Sequence, residues 1–397
     1  MIATPTVGLI PGRHHYLDWL RVLVVLMLIP FHTAMTFAPY AWYLRNDQLN
    51  DATIGLIMVL DKYHMELLFL IAGAATFFSL GVRSGGQYVS ERLRRLVVPL
   101  VFGMLVVVPP CYWVAAVHFA AYDGSHLSWY LTFLKQSLTP FQEEFHAGAL
   151  WFLWYLVLYT AALFPLFWLV RRKAPDRLFR GLGRFFSWPG AILVFVIPTA
   201  LVEIYPSWII TSDFQVFYYV IFFFAGFFLF SHAGFMKGID HTGPIAIAGA
   251  IITMTLYMLL VFPEWRQAVL GPWFWTRYHG EPGTAGYVVF RILISFTTWF
   301  WLVAILYLAR RFLDFGNRFL RYANDAVLPY YVIHSTPIAV IGLYVVQWDM
   351  DVLPKYVINT VLAFLATAAI YEVVRRTNVT RFLFGMRLRR RQEGPGT

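Results

Sequence analysis

The chain has 397 residues, of which 59% are hydrophobic and only 13% charged, and its net charge is +10. A soluble domain could not hide that much apolar surface, so lipid must be the solvent for most of the chain. The basic residues lie between apolar runs rather than on one polar face, which points to membrane topology and away from nucleic acid as a partner.

The N-terminus has one feature of a secretory signal peptide, Arg13 followed by an apolar run. That run, 17–37, has full span length, contains Arg21 and His32, and offers no small-residue cleavage site with a soluble domain behind it. It is expected to remain as the first span. Hydropathy places the others at 54–80, 96–117, 149–170, 188–205, 214–230, 244–262, 285–308, 327–347 and 354–374. Each is near the ~20 residues that cross a ~30 Å hydrocarbon core at ~1.5 Å per residue. The aromatic segment 129–138 is too short to span and reads as an interfacial helix. Cys111, the only cysteine, lies in an apolar run and supports neither a disulfide framework nor a cysteine metal site. After the tenth span comes a basic cytoplasmic tail, 377–397, with Arg389-Arg390-Arg391 and Gly394-Pro395-Gly396, expected to be disordered or to lie on anionic headgroups. The fold class expected is all-α, a polytopic membrane protein of about ten transmembrane helices whose membrane domain covers 1–376.

Orientation follows from Lys and Arg, which are retained on the cytoplasmic side. The segment before the first span and every second loop after it hold 23 of them, around Arg13, Arg83 to Arg95, Arg171 to Arg184, Lys237, Arg310 to Arg321 and Arg375 to Arg391. The other five loops hold 5, namely Arg45, Lys135, Arg266, Arg277 and Lys355. Both termini are therefore expected in the cytoplasm.

An ionisable group in hydrocarbon costs several kcal/mol, about 2.5 to 3.5 for Arg on insertion scales, so each one inside a span is a candidate functional residue. Arg21 and His32 stand eleven positions apart, which on a helix puts them within about 20° of one face with a rise of ~16 Å. Arg21 would clamp an anionic group near the cytoplasmic end, and His32 would lie in the outer half of the membrane. On spacing alone the plainer reading is a snorkelling arginine and an interfacial hydrogen-bonding histidine. Lys62, His64, Glu66, Arg291, His334 and Glu372 are further polar positions within spans, some of which must satisfy one another across helices. No metal motif is present, His-Glu-x-x-His included. The stretch Glu91-Arg92-Leu93-Arg94-Arg95, followed by Pro99, reads as ordinary positive-inside charge or as a cytoplasmic phosphate cradle.

The first span, Leu17-Asp18-Trp19-Leu20-Arg21 running to Phe31-His32 with an Arg-x10-His pattern, resembles the opening of the acyltransferase-3 family of integral-membrane acyltransferases. The likeness continues through HMELLFLIAG at 64–73, the basic stretch 91–99, LWFLWY at 150–155 and LPYYVIHSTP at 328–337, and so covers nearly the whole chain. Pro109-Pro110 and 371–386 look most like a glucan-modifying succinyltransferase branch of that family. The resemblance implies transfer of an acyl group, acetyl or succinyl in class, from cytoplasmic acyl-CoA to a hydroxyl of a carbohydrate or glycolipid at the outer face of a bacterial inner membrane. On that pattern His32 is the catalytic residue, and Arg21, Arg92, Arg94 and Arg95 lie near the donor phosphates. His64, Glu66 and His334 are candidate site residues to which the resemblance assigns no role. No bound cofactor is implied, acyl-CoA being a substrate. A neutral imidazole suits the chemistry, since the acceptor hydroxyl must lose a proton as it attacks the thioester. The chain ends soon after the tenth span, without the esterase-like domain appended in some relatives, so acceptor handling is expected to rest on the membrane domain or on partners.

The competing reading is a transporter or exporter of an anionic or carbohydrate substrate, because multispan proteins with intramembrane Arg and His often move anions or protons. Against it stand the lack of a visible internal repeat and the concentration of the family-like motifs on one inner-to-outer line. A third reading, a non-catalytic assembly partner of a polysaccharide machine, would tolerate loss of His32.

Overall fold

The computed structural model describes residues 14–39, 42–137, 147–173, 176–205, 216–262 and 284–389. Among them every regular element is helical: α1 (His15–Met35), α2 (Asp51–Leu60), α3 (His64–Val82), α4 (Gly85–Arg92), α5 (Val98–Phe102) and α6 (Pro109–Ala120). There follow α7 (His126–Ser137), α8 (Trp151–Lys173), α9 (Asp176–Phe186), α10 (Val196–Ile204), α11 (Val216–Leu229) and α12 (Ala233–Val261). The last five are α13 (Ala285–Phe312), α14 (Arg318–Ile333), α15 (Ser335–Val345), α16 (Val352–Val374) and α17 (Asn378–Leu383).

Each of the ten segments expected to span is helical over most of its described residues, with turns at 61–63 and 188–190 and with 214–215 outside the described residues, and 129–137 of the expected interfacial segment lies in α7. Among the described residues seven helical stretches are long and apolar enough to cross a membrane, or nine if two bent pairs each count as one span. The tenth, α11, has 14 residues and reaches only ~21 Å. The bends have covalent causes. Between α9 and α10 the axis turns by 102° through Trp188-Pro189-Gly190, where Gly190 takes φ 77°. Between α14 and α15 it turns by 55° at His334. Pro337, three residues on, has no N–H for the Ile333 carbonyl and crowds it, so the helix cannot run straight through that turn.

The chain forms two compact units, one of Met1–Arg21, Met58–Gly85 and Tyr159–Gly316, the other of Val22–Ile57, Gly86–Leu158 and Asn317–Thr397. In the first, α3 and α11 pack backbone to backbone. A Cβ on Gly73 would overlap the Phe223 carbonyl, and one on Gly226 the Leu70 carbonyl. Small residues give this close approach in lipid, where helices gain little from hydrophobic burial and associate by van der Waals packing. Aromatic stacking fills the rest: Phe167 lies on Phe227 with ring centres 3.8 Å apart, and the fully buried Trp299 is flanked by Phe195 and Phe222 while its indole N–H donates to Thr199 Oγ1 at 3.2 Å.

In the second unit α15 packs on α16 and α6, and Ile29, Ile338 and Ala363 form a buried cluster that ties α1, α15 and α16 together. Residues Asn378–Leu383 of the expected tail are helical, and α17 packs on α5. Gly385 ends it with φ 66° and comes so close to Arg95 that a Cβ would meet that carbonyl oxygen at 2.8 Å; Phe384 meets Phe102 with ring centres 5.3 Å apart. Arg13, Arg266, Arg277 and 390–397 lie outside the described residues.

Candidate functional site

His32 lies in the last turn of α1, two residues after Pro30, and is half-buried. The chain then turns back, Asn46 N–H donating to the Thr36 carbonyl at 2.8 Å, which lays Trp42 over the imidazole with ring centres 5.9 Å apart and planes 25° from parallel. On the other side is His334, 1% exposed, at the bend between α14 and α15. The two imidazoles meet with His334 Nε2 3.2 Å from His32 Nδ1, while His334 Nδ1 is 2.7 Å from the Tyr331 carbonyl and His32 Nδ1 is 3.0 Å from the Leu28 carbonyl. The bend is braced from several directions. The Tyr331 hydroxyl donates to the Ala149 carbonyl at 2.6 Å, the Thr336 hydroxyl donates to the Val107 carbonyl, and Cys111 Sγ lies 3.4 Å from Thr336 Oγ1.

The same unit carries the basic stretch. Leu93–Val97 is π-helical, a winding that appears mostly as single turns inside α-helices and often at functional sites. Pro99 accounts for it, since the Arg95 carbonyl has no N–H four residues on to accept from. Arg92 lies over the Tyr88 ring at 5.2 Å and Arg95 pairs with Glu91 at 3.3 Å, whereas Arg94 is exposed.

Of the remaining candidates, Glu372 lies in the second unit, where it accepts from the Tyr322 hydroxyl at 2.6 Å and from Arg375 at 3.1 Å, and the others belong to the first. Arg21 is half-buried on α1, which runs unbroken through to His32. His64, 3% exposed, has Nδ1 2.7 Å from the Leu60 carbonyl. Glu66 is 2% exposed and its Oε2 has no hydrogen-bond partner among the described residues. Nearby charges close on each other: Lys62 donates to Asp61 at 3.2 Å and lies 5.1 Å above the Tyr257 ring, and Arg291 donates to Glu203 at 2.9 Å. Spacing in the sequence carries no signal for Glu203 as the partner of Arg291, for the pairing of His32 with His334, 302 residues apart, or for the stacking of Trp42. Two prolines around His334 mark a bent helix in the sequence, but nothing in the spacing says which residue the bend faces.

Among the described residues no three of His, Cys, Asp and Glu come together as a metal-ligand set. Residues 14–372 match the model of the acyltransferase domain of the acyltransferase-3 type. The glucans biosynthesis protein C of Salmonella paratyphi B, Salmonella paratyphi A and Salmonella agona is in each case 21% identical over 393 residues, covering 94% of both chains. No solved structure matches the chain.

Proposed function

The chain belongs to the acyltransferase-3 family and is a multi-pass membrane O-acyltransferase; on that premise we propose that it moves an acetyl- or succinyl-class group from cytoplasmic acyl-CoA to a hydroxyl of a glucan or related glycolipid at the outer face of a bacterial inner membrane. His32 is the general base. As it takes the proton, the acceptor oxygen attacks the thioester carbonyl, the C–O bond forms and the C–S bond breaks. The imidazolium then protonates the leaving thiolate, so ester and free CoA thiol are the products. Arg92, Arg94 and Arg95 bind the donor phosphates, a task for clustered guanidinium groups. The observation that carries the reading is the match over 14–372, with its Arg-x10-His opening intact in α1. The relatives' name supports a glucan as the acceptor.

The direct test is purified protein in lipid nanodiscs with labelled acetyl- or succinyl-CoA and a glucan. Label recovered as glucan ester supports the proposal. Glucan or donor crossing proteoliposomes with no ester formed would establish a transporter instead. Sidedness is tested by single cysteines in a Cys111→Ser background: Gln48→Cys should react with an impermeant reagent from outside, Arg177→Cys and Arg376→Cys only from inside.

A further inference from the structure

We infer that His334 is a positioning residue for His32: it accepts the His32 Nδ1 proton and so holds His32 in the tautomer whose Nε2 bears the lone pair. The inference rests on His32 acting as the base.

The argument uses only donors and acceptors. The Tyr331 carbonyl, 2.7 Å from His334 Nδ1, can only accept, so Nδ1 of His334 carries its hydrogen. In a neutral His334, Nε2 is then an acceptor, and it points at His32 Nδ1 at 3.2 Å. A second neighbour of that nitrogen is the Leu28 carbonyl at 3.0 Å, again an acceptor. Between two acceptors His32 Nδ1 must be the protonated nitrogen, which leaves Nε2 as the basic one. The roles do not reverse. His334 is 1% exposed with each ring nitrogen bonded to protein, whereas His32 is half-buried. When His32 Nε2 takes a proton, its Nδ1–H still faces the same two acceptors, and these bonds strengthen as the ring becomes charged. A buried group that fixes a histidine's tautomer and supports its protonated form has the logic of the third member of a hydrolase triad, here filled by a neutral imidazole anchored on a backbone carbonyl. The bend at Pro337 is what brings His334 to this position in the turn.

The experiment compares His334→Leu, His334→Gln and His32→Ala with wild type, measuring turnover, the KM for acyl-CoA, and the ¹⁵N shifts of labelled histidine. Wild type should show His32 as the Nδ1–H tautomer. His334→Leu should lower kcat about 10- to 100-fold, less than the ~10² to 10⁴ of a lost base because the Leu28 carbonyl still accepts, with the donor KM unchanged and the tautomer mixed. His334→Gln, whose side-chain oxygen can accept near the position of Nε2, should recover most of the loss. Wild-type turnover in His334→Leu beside an inactive His32→Ala would overturn this inference alone, as would an Nε2–H tautomer in wild type, a measurement that needs no variant to fold. Full turnover in His32→Ala would overturn the base assignment and this inference with it.

Discussion

The two units treat buried polarity in opposite ways. In the first, cations are matched to carboxylates or rings: within spans Lys62 to Asp61 and Tyr257 and Arg291 to Glu203 and Tyr287, and at the end of α13 Arg310 to Asp240 and Tyr16. Charges so matched lower each other's cost in lipid and leave little capacity for a substrate. In the second, the buried polar groups near the end of α1 are largely neutral, and the buried cation Lys355 donates to the Asn46 side-chain oxygen and the Val346 carbonyl rather than to a carboxylate. His334, Thr33, Thr36 and Asn359 are all at or below 1% exposed, and neither amide atom of Asn359 has a hydrogen-bond partner among the described residues. Neutral imidazoles and hydroxyls can gain and lose protons or accept a ligand's hydrogen bonds without exposing an uncompensated charge. The difference teaches that ionisable residues within spans are not one class, and that the paired ones hold the scaffold while the neutral ones are the place to look for chemistry.

The sharpest test of that contrast is His32→Ala. Transfer should fall by about 10² to 10⁴, while insertion and acyl-CoA binding persist, because deleting an imidazole from a half-buried site leaves no new charge behind. Turnover and donor binding measured on one sample decide it. Next in size is a packing change in the first unit: Gly226→Val should cost about 3 kcal/mol, since the added carbons would overlap the Leu70 carbonyl and push α3 and α11 apart. A lowered midpoint in detergent unfolding, with normal turnover per folded molecule, is the expected reading. If turnover per folded molecule collapsed instead, the first unit would have a direct part in catalysis.

Breaking a charge pair should show the same division. Arg291→Met should destabilise by about 2 kcal/mol, less than the ~3 to 5 of a fully buried pair because the Arg291 side chain is 34% exposed. Adding Glu203→Gln should restore part of the loss, since the second change removes the stranded carboxylate. A double variant less stable than the single one would show that Glu203 has another task. The smallest expected effect is that of Arg94→Ala, the exposed member of the π-helical stretch. Loss of one charge-assisted phosphate contact should raise the KM for acyl-CoA about tenfold and leave the KM for the acceptor alone. Equal donor affinity in variant and wild type would assign these arginines to topology only.

Composition and apolar run length were enough to identify the helices, because in lipid each backbone N–H and C=O must be satisfied within its own segment, so that a spanning stretch declares itself locally. The ten expected segments are helical over most of their described residues for that reason, and the breaks at Pro189 and Pro337 could be read from the missing N–H. The motif around Arg21 and His32 carried the family for a similar reason, since it lies in one helix with a periodicity that needs no tertiary knowledge. Which side chains meet across helices was another matter. That His32 faces His334 across 302 residues, that Arg291 finds Glu203, and that Gly385 closes on the Arg95 carbonyl all depend on how separate helices rotate and pack. Hydropathy reports which segments enter the membrane but is nearly blind to rotation about a helix axis when most faces are apolar, so the partners of each buried polar group were decided by the tertiary structure alone.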